Sequence, residues 1–267
     1  METKTVLITV KAYPNPSKKY TETVCCAGVD INQNTWIRLY PIPFRDLDSS
    51  KQFSKYNIIE VRCHKSPDDH RIESHKVDSD SIKIIKYLDT KDRWGARKNI
   101  ILPLASTSFC KILADTQNNR SLGIFKPTQV EMIWEKAPIK DKEKRDACYA
   151  QLSFFDKQKD AIEQIPYNFY YQFKCDNLPN CPGHKLMIVD WELGQAFRNW
   201  RTEYKPESIL FDKIKEKWLF ELCGPTKDTY FYVGNVNRFR NTFLILGVFY
   251  PPKHTGTKNI SLPFFST

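Results

Sequence analysis

Two cysteines and a histidine near the middle of the chain have the residue types and the spacing of a metal site. Cys175 is followed by Cys181 and then by His184. Two thiolates and an imidazole are ligands of tetrahedral zinc, and they can converge if the intervening residues fold back as a loop. The Pro182-Gly183 dipeptide indicates a tight turn between Cys181 and His184. The alternative is that both cysteines are small buried residues and that His184 only packs against them.

A tetrahedral site needs a fourth ligand, which the local sequence lacks. We expect Cys223, because it lies beside a Gly-Pro turn just after a predicted helix. The remaining alternatives are Asp190, His254 and Cys148. A zinc ion at this place would be structural, since a catalytic zinc needs an open coordination position with an acid or base beside it.

A short strand near the N-terminus carries alternating aromatic and basic side chains. In this strand Trp36, Arg38 and Tyr40 project to one face, and Arg45 follows a few residues later. Bases stack on aromatic rings and phosphates pair with arginine, so this face is typical of a groove for single-stranded nucleic acid. The alternative is that the two rings complete the core and that Arg38 binds a nearby carboxylate.

A second basic and aromatic segment lies between two predicted strands near the C-terminus. Arg238, Phe239 and Arg240 occupy this loop. Two guanidinium groups can hold phosphates there while the ring stacks on a base. A solvated hairpin tip, with Phe239 folded back onto the protein, is the alternative.

Residues 66–76 form the densest run of titratable groups, and they offer a catalytic hypothesis. Asp68, Asp69, His70 and Glu73 could belong to a metal-dependent nuclease or to another hydrolase. In the common nuclease pattern, however, the second carboxylate and a lysine lie one residue apart on a strand, well downstream of the first aspartate. The segment does not have that spacing, so it indicates a solvated loop of mixed charge.

Composition favours a globular protein with an anionic partner. The 267 residues are 41% hydrophobic and 13% aromatic, and they carry a net charge of +10, which favours DNA or RNA over an acidic small molecule. No apolar run is long enough to span a membrane, and the chain enters a strand pattern directly after Met1. The eight cysteines are scattered, so we expect reduced thiols and a cytoplasmic protein.

The hydrophobic pattern predicts a β-rich α+β protein. Short strands are expected at residues 6–10, 23–29, 35–40, 58–63, 122–127, 151–155, 167–173, 229–234 and 242–251. A helix capped by Ser106 or Thr107 is expected at 107–115, and two amphipathic helices follow, the first including Ile188 and the second opened by Pro206. One wholly aromatic face of strand 167–173 is expected in the core.

The strand spacing in the first part is typical of a small barrel. We therefore predict two barrel-like units with intervening helices. Residues 1–117 would form an N-terminal β-barrel-like domain with a helical linker. Residues 118–267 would form a C-terminal α+β domain that holds the Cys/His metal site.

The first quarter of the chain resembles a known family. Cys25-Cys26-Ala27-Gly28-Val29, followed by Trp36-Ile37-Arg38, is similar to the start of the bacterial dual OB-containing domain family. That family consists of small cytoplasmic proteins regarded as nucleic-acid-binding and associated with prokaryotic conflict systems. The resemblance implies OB-like barrels, and it implies binding rather than catalysis.

The sequence therefore predicts a nucleic-acid-binding protein, an accessory or effector component of a prokaryotic defence or nucleic-acid-processing system. A metal-dependent nuclease or hydrolase is the first alternative. A protein-interaction subunit of a defence assembly is the second, and for such a subunit the basic surface would be incidental.

Overall fold

The computed structural model describes residues 1–12, 15–16, 22–138, 165–176, 178–237 and 239–253. The strands are β1 Glu2–Lys11, β2 Asn15–Pro16, β3 Glu22–Asp30, β4 Thr35–Ile42, β5 Asn57–Lys65, β6 Ser74–Val77, β7 Lys83–Tyr87, β8 Ala105–Ser106, β9 Leu122–Phe125, β10 Pro127–Lys136, β11 Tyr167–Cys175, β12 His184–Ile188, β13 Tyr230–Val236 and β14 Phe239–Phe249. The α-helices are α1 Lys91–Ile101, α2 Phe109–Ala114, α3 Trp191–Trp200 and α4 Glu207–Lys215, and α4 continues into a π-helical turn, Glu216–Glu221. Single 3-10 turns lie at Phe44–Asp46, Ser49–Lys51, Ser79–Ser81, Leu102–Leu104 and Asp115–Asn118.

Five strands of the N-terminal part close into a mixed barrel, as the sequence predicted. β1 pairs antiparallel with both β3 and β5, and β3 pairs antiparallel with β4. β6 closes the ring, because it runs antiparallel to β5 and parallel to β4. Alternate residues such as Val6, Ile8, Ile37 and Leu39 fill the interior. The barrel follows from this alternation, since a strand with period-two hydrophobicity buries one face.

Gly28 allows β3 to approach β1 where the register of the two strands shifts. A Cβ atom at this position would lie 2.2 Å from the carbonyl oxygen of Leu7. The register shift falls between Ile8 and Val10, beside this close approach. Any larger residue would therefore force the two strands apart.

The C-terminal part is an open seven-stranded mixed sheet, with the order β10-β11-β12-β14-β13-β9-β8. The β12–β14 and β8–β9 pairs are parallel, and the other pairs are antiparallel. The sequence prediction of a second barrel was therefore wrong for the described residues, which form an open sheet with covered faces.

This sheet is the middle of three layers. Phe231 and Val233 of β13 pack with the helices, whereas Tyr232, between them in sequence, packs towards the barrel. The barrel and the sheet thus share one buried apolar layer, which also includes Leu7 and Phe249. The sheet is buried on both faces for this reason, and the apolar runs in its strands reflect that burial.

The first turn of α1 places the Trp94 ring in the apolar layer between the barrel and the sheet. Asp92, Arg93 and Trp94 have positive φ values of 50°, 53° and 66°, so they form a left-handed turn. The Trp94 ring lies 5.9 Å from the ring of Tyr56 on the barrel and 5.4 Å from that of Phe249 on the sheet.

A buried ion pair also joins the two parts. Lys55 Nζ lies 3.0 Å from Asp190 Oδ2, and the two side chains are 8% and 3% exposed. Glu192, which is more exposed, lies 3.0 Å from the same ammonium. Burial by itself would lower the pKa of Lys55, but the carboxylates of Asp190 and Glu192 hold it above its ordinary value. Asp190 additionally caps α3 by accepting the backbone N–H of Glu192 at 3.0 Å.

Several local predictions need correction. Ile188 ends strand β12 and does not belong to a helix, because α3 begins at Trp191. The cap of α2 is Ser108 and not Ser106 or Thr107, since Ser108 Oγ accepts the N–H of Lys111 at 3.0 Å. The strand predicted at 151–155 lies outside the described residues.

Two further features can be compared with the structure, which are the aromatic face of β11 and the length of the helices. Phe169, Tyr171 and Phe173 of β11 are buried, which confirms the aromatic core face. None of the helices in the described ranges is long and apolar enough to cross a membrane.

Candidate metal centre and interdomain cleft

Four side chains, one from α2 and three from the β11–β12 hairpin, converge at one point. Cys110 comes from α2, Cys175 ends β11, Cys181 lies in the turn that follows, and His184 begins β12. Their ligand atoms all lie within 4.8 Å of one another, and we call this group the Cys3His cluster. It could bind a metal ion such as zinc.

The distances within the cluster fit a tetrahedral metal. Zn–S bonds of about 2.3 Å and Zn–N bonds of about 2.0–2.1 Å give tetrahedral edges of about 3.8 Å between sulfurs and about 3.5 Å between sulfur and nitrogen. Cys175 Sγ lies 3.8 Å from Cys110 Sγ. His184 Nε2 lies 3.3 Å from the sulfurs of Cys110 and Cys181 and 3.6 Å from that of Cys175. These four distances are close to those of a zinc tetrahedron, and the sulfur of Cys181 lies within 4.8 Å of the other two sulfurs.

The turn between Cys181 and His184 has the backbone form of a metal knuckle. Gly183 has a φ of +85°, which favours glycine over any other residue. The backbone N–H of Cys175 donates to Cys181 Sγ over 3.3 Å. Burial raises the pKa of Cys181, but the N–H groups of Cys175 and Gly183 stabilise its thiolate and bring that pKa below its ordinary value. The loop is therefore arranged to hold a thiolate.

The other ligands lie in less polar surroundings. Burial and the neighbouring thiols raise the pKa of Cys110 to about 12, and burial also raises the pKa of Cys175. Burial lowers the pKa of His184, so its imidazole is neutral at pH 7 and has a lone pair for a metal. The His184 ring lies 4.8 Å from the ring of Phe109, which fixes its orientation. Binding of a cation would supply the charge that makes these thiolates stable.

The fourth member of the cluster is Cys110, and the prediction of Cys223 was wrong. Cys223 Sγ donates to the carbonyl of Trp218 at 3.5 Å and lies outside the cluster. Asp190 is also elsewhere, because it pairs with Lys55. The alternatives His254 and Cys148 lie outside the described residues. No local signal marks Cys110, because only the packing of α2 against the β11–β12 hairpin brings it there.

The strand that carries Trp36, Arg38 and Tyr40 has the predicted alternation, but its outer face is covered at Trp36 and Arg38. Arg38 is 4% exposed and donates from Nη2 to the carbonyl and hydroxyl oxygens of Ser121, both at 3.2 Å. Trp36 is half-buried against the ring of Tyr232, with a centroid distance of 6.1 Å. These contacts hold the barrel against the sheet, so Arg38 is not placed to bind a phosphate.

The remaining predicted contact residues lie at the surface. Tyr40 is 44% exposed, and Arg45 is exposed in the 3-10 turn after β4. Phe239 is 65% exposed at the tip of the β13–β14 hairpin, and Arg240 beside it donates to Asn119 Oδ1 at 2.8 Å. Arg238 lies outside the described residues.

The acidic segment that suggested a nuclease does not gather its carboxylates. Glu73 is buried and accepts the N–H and the hydroxyl of Ser121, at 2.9 and 2.8 Å. Asp69 is paired with Arg71, and Asp68 with Lys76. Among the described residues, the Cys3His cluster is the group of potential metal ligands that converges. Glu73 thus joins the barrel to the C-terminal part through Ser121, instead of lying in a solvated loop as the sequence suggested.

A cleft of about 790 Å³ lies between the barrel and the C-terminal part. Its wall on the barrel side includes Trp36, Lys65 and His75, and its opposite wall includes Lys111, Ile112 and Arg120. His75 donates from Nδ1 to the carbonyl of Glu73 at 2.9 Å, and its pKa is lowered by burial, so Nε2 is an acceptor at neutral pH. This cleft offers stacking surface, cations and hydrogen-bonding groups together.

Comparison with protein families gives a family without an established function. Residues 105–264, more than half of the chain, match the model described as Domain of unknown function (DUF8757). The chain belongs to this family. Residues 2–103 match a second model, Domain of unknown function (DUF8758). Comparison with curated proteins found no match. The predicted domain division at residues 117 and 118 stays a prediction, because a family match does not show where an independently folding unit begins.

Proposed function

We propose that this protein binds single-stranded nucleic acid along the cleft between the barrel and the sheet. The observation that carries the proposal is the exposed Phe239 ring beside Arg240, which donates to Asn119, the residue next to Arg120 in the wall of the cleft. The net charge of +10 supports a polyanionic ligand. Cleft and hairpin together supply what non-specific single-strand binding uses, which is a basic track with aromatic surfaces.

The barrel topology supports the same proposal. An OB-fold is a five-stranded Greek-key barrel that binds oligonucleotides on the face of its second and third strands and on two loops. In this protein the corresponding strands, β3 and β4, face the C-terminal sheet. The loop between β5 and β6 instead borders the cleft, through Ile72 and Glu73. We therefore place the nucleic acid at this loop, as a variant of the OB-like binding expected from the resemblance to the dual OB-containing family.

The cationic rim runs along the wall of the cleft that belongs to the C-terminal part. Arg240 contacts Asn119, which is next to Arg120, and Arg120 lines the cleft with Lys111. Asp115 lies 3.1 Å from Lys111 and 3.6 Å from Arg120, so it orders both cations at the same wall. A phosphate would replace this single carboxylate as their partner.

Fluorescence anisotropy with labelled oligo(U) and oligo(dT) tests the proposal, with a duplex of the same length for comparison. We expect Phe239→Ala to weaken binding by about 5- to 150-fold, because one stacked base is worth roughly 1–3 kcal/mol. Arg120→Ala should weaken binding of all sequences similarly. It should also lower the slope of log Kd against log salt concentration by about one, which is the effect of losing one phosphate contact.

A matched control separates the cleft from general surface effects. Phe220 is 63% exposed on the π-helical turn outside the cleft, so Phe220→Ala removes an equally exposed ring. It should leave the affinity unchanged. Affinity that is absent, insensitive to salt, or reduced equally by Phe220→Ala and Phe239→Ala would contradict the proposal.

We further propose that the Cys3His cluster holds structural Zn2+. The four protein ligands fill a tetrahedron and leave no position for a reacting water. Elemental analysis of the purified chain should give one zinc per chain, and Cys110→Ser should lose it, whereas Cys223→Ser should retain it. Zinc retained by Cys110→Ser and lost by Cys223→Ser would overturn the ligand assignment. The 260-to-280 nm absorbance ratio of the same sample shows whether nucleic acid co-purifies.

A further inference from the structure

The helix that supplies a ligand to the Cys3His cluster also forms a wall of the cleft. α2 has six residues, and Cys110 of this helix reaches the sulfur of Cys175 and the imidazole of His184. The next two residues, Lys111 and Ile112, line the cleft. One short helix thus has the candidate metal site on one side and the proposed nucleic-acid site on the other.

Such a helix depends on its tertiary contacts. A six-residue helix is too short to be stable by itself, because helix formation has a costly nucleus. Its other anchors are the Ser108 cap, the Phe109 ring and the buried Ile112 side chain, with Leu113 packed against the same core. A metal bond to Cys110 would add a covalent anchor at the middle of the helix, directly before Lys111.

The cations of this wall are connected to the same segment. Asp115 follows α2 directly and makes ion pairs with Lys111 and Arg120. A change in the position of α2 therefore moves both cations relative to Lys65 and Trp36 on the barrel side of the cleft. Among the described residues, no helix or strand of the barrel-side wall carries a member of the cluster.

We propose that metal bound at the Cys3His cluster fixes the position of the cationic wall of the cleft, so that zinc occupancy and nucleic-acid affinity are linked. The linkage rests on the proposed function, whereas the ordering of the wall does not. Because coupling between two binding equilibria is reciprocal, the factor by which zinc raises oligonucleotide affinity must equal the factor by which the oligonucleotide raises zinc affinity.

Two measurements on the full chain test this inference. The first is hydrogen exchange of residues 105–121 in zinc-loaded protein and in protein stripped by a chelator, with strand β5 of the barrel as the internal control. We expect exchange in 105–121 to be at least about 10-fold faster without zinc and exchange in β5 to be unchanged. Equal exchange of residues 105–121 in both states would overturn the inference.

The second measurement is the affinity for labelled oligo(U), with and without zinc chloride. We expect zinc to tighten binding by about 5-fold or more, and competition with a chromophoric chelator should show the same factor in zinc affinity. Cys181→Ser, which leaves α2 unchanged in sequence, should lose the zinc effect as Cys110→Ser does, while Cys223→Ser should keep it. The chelated wild-type protein gives the same comparison if a variant does not fold.

The outcomes separate this inference from the proposed function. If zinc slows exchange in 105–121 but no oligonucleotide binds in either state, the wall is ordered by metal and the proposed function fails. If an oligonucleotide binds equally well with and without zinc, the proposed function stands and the linkage is overturned.

Discussion

Replacing Asp190 by asparagine tests how strongly the buried ion pair holds the barrel to the sheet. Asparagine keeps an oxygen that can accept the Glu192 N–H at the start of α3, so the change removes the charge and leaves the cap. The Lys55 ammonium, 8% exposed, then has Glu192 at 3.0 Å as its remaining carboxylate partner. Breaking a buried pair costs about 3–5 kcal/mol, and we expect about 3 kcal/mol because Glu192 remains.

Asp190→Ala should cost about 1 kcal/mol more, because it also removes the helix cap. In the double variant Lys55→Met with Asp190→Asn, the cost should be smaller than the sum of the single changes, with a coupling energy of about 2 kcal/mol. Urea denaturation followed by tryptophan fluorescence measures these differences, and an unchanged m-value would support comparison of the midpoints. A cost below about 1 kcal/mol for Asp190→Asn, or additive costs in the double variant, would refute the reasoning.

The pH dependence of the Lys55–Asp190 pair follows from the direction in which the pKa of Lys55 is shifted. The pKa of Lys55 is raised above its ordinary value of 10.5, so its stabilising contribution is fully present below that value and is lost only as the pH rises further. The cost of Asp190→Asn should therefore be constant from about pH 6 to about pH 9. A cost that disappears on acidification within this range would show that the carboxyl group, and not the ammonium, titrates.

Three further predictions concern other contacts. Gly183→Ala should destabilise the protein by about 1 kcal/mol and weaken zinc binding, because φ is +85° there; thermal unfolding with and without zinc measures both effects. Glu73→Gln should cost about 1–3 kcal/mol in urea denaturation, because the hydroxyl of Ser121 loses its acceptor, and a cost below about 1 kcal/mol would contradict this role of the carboxylate. Burial raises the pKa of Asp69, but hydrogen bonds from Arg71 bring it down to about 2, so its contribution is present above about pH 4 and is lost as the pH falls through 2. Asp69→Asn should lower the stability by about 1–2 kcal/mol at pH 7, and melting temperatures should show this cost shrinking towards pH 2.

Local sequence patterns were sufficient to predict most of the strands of the barrel. Alternation of apolar and polar residues places Ile37 and Leu39 on the inner face and Trp36 and Arg38 on the outer face, and the structure has the same alternation. The pattern does not show what covers the outer face. Arg38 was predicted to contact phosphate, and it is instead buried at the boundary of the two parts, where it donates to the carbonyl and hydroxyl oxygens of Ser121 and to Cys25 Sγ.

In the candidate metal site too, some residues could be predicted from local sequence and one could not. Spacing along the chain was enough for Cys175, Cys181 and His184, since these residues lie in one strand–turn–strand unit and short-range geometry brings them together. The fourth member of the cluster was predicted as Cys223 from the Gly-Pro turn beside it, whereas Cys110 lies inside α2 and has no local signal. The packing of α2 on the hairpin decides between them.

Periodicity and spacing of neighbouring residues were enough to predict the barrel, the aromatic core strand and three of the four cluster residues. Contacts between distant segments make the second unit an open sheet, bury Arg38, bring Cys110 to the cluster and form the cleft between the two parts. These features depend on which surfaces of distant segments pack together. Which surfaces pack together depends on the burial and hydrogen bonding summed over the whole chain, so it cannot be predicted from a short stretch of sequence.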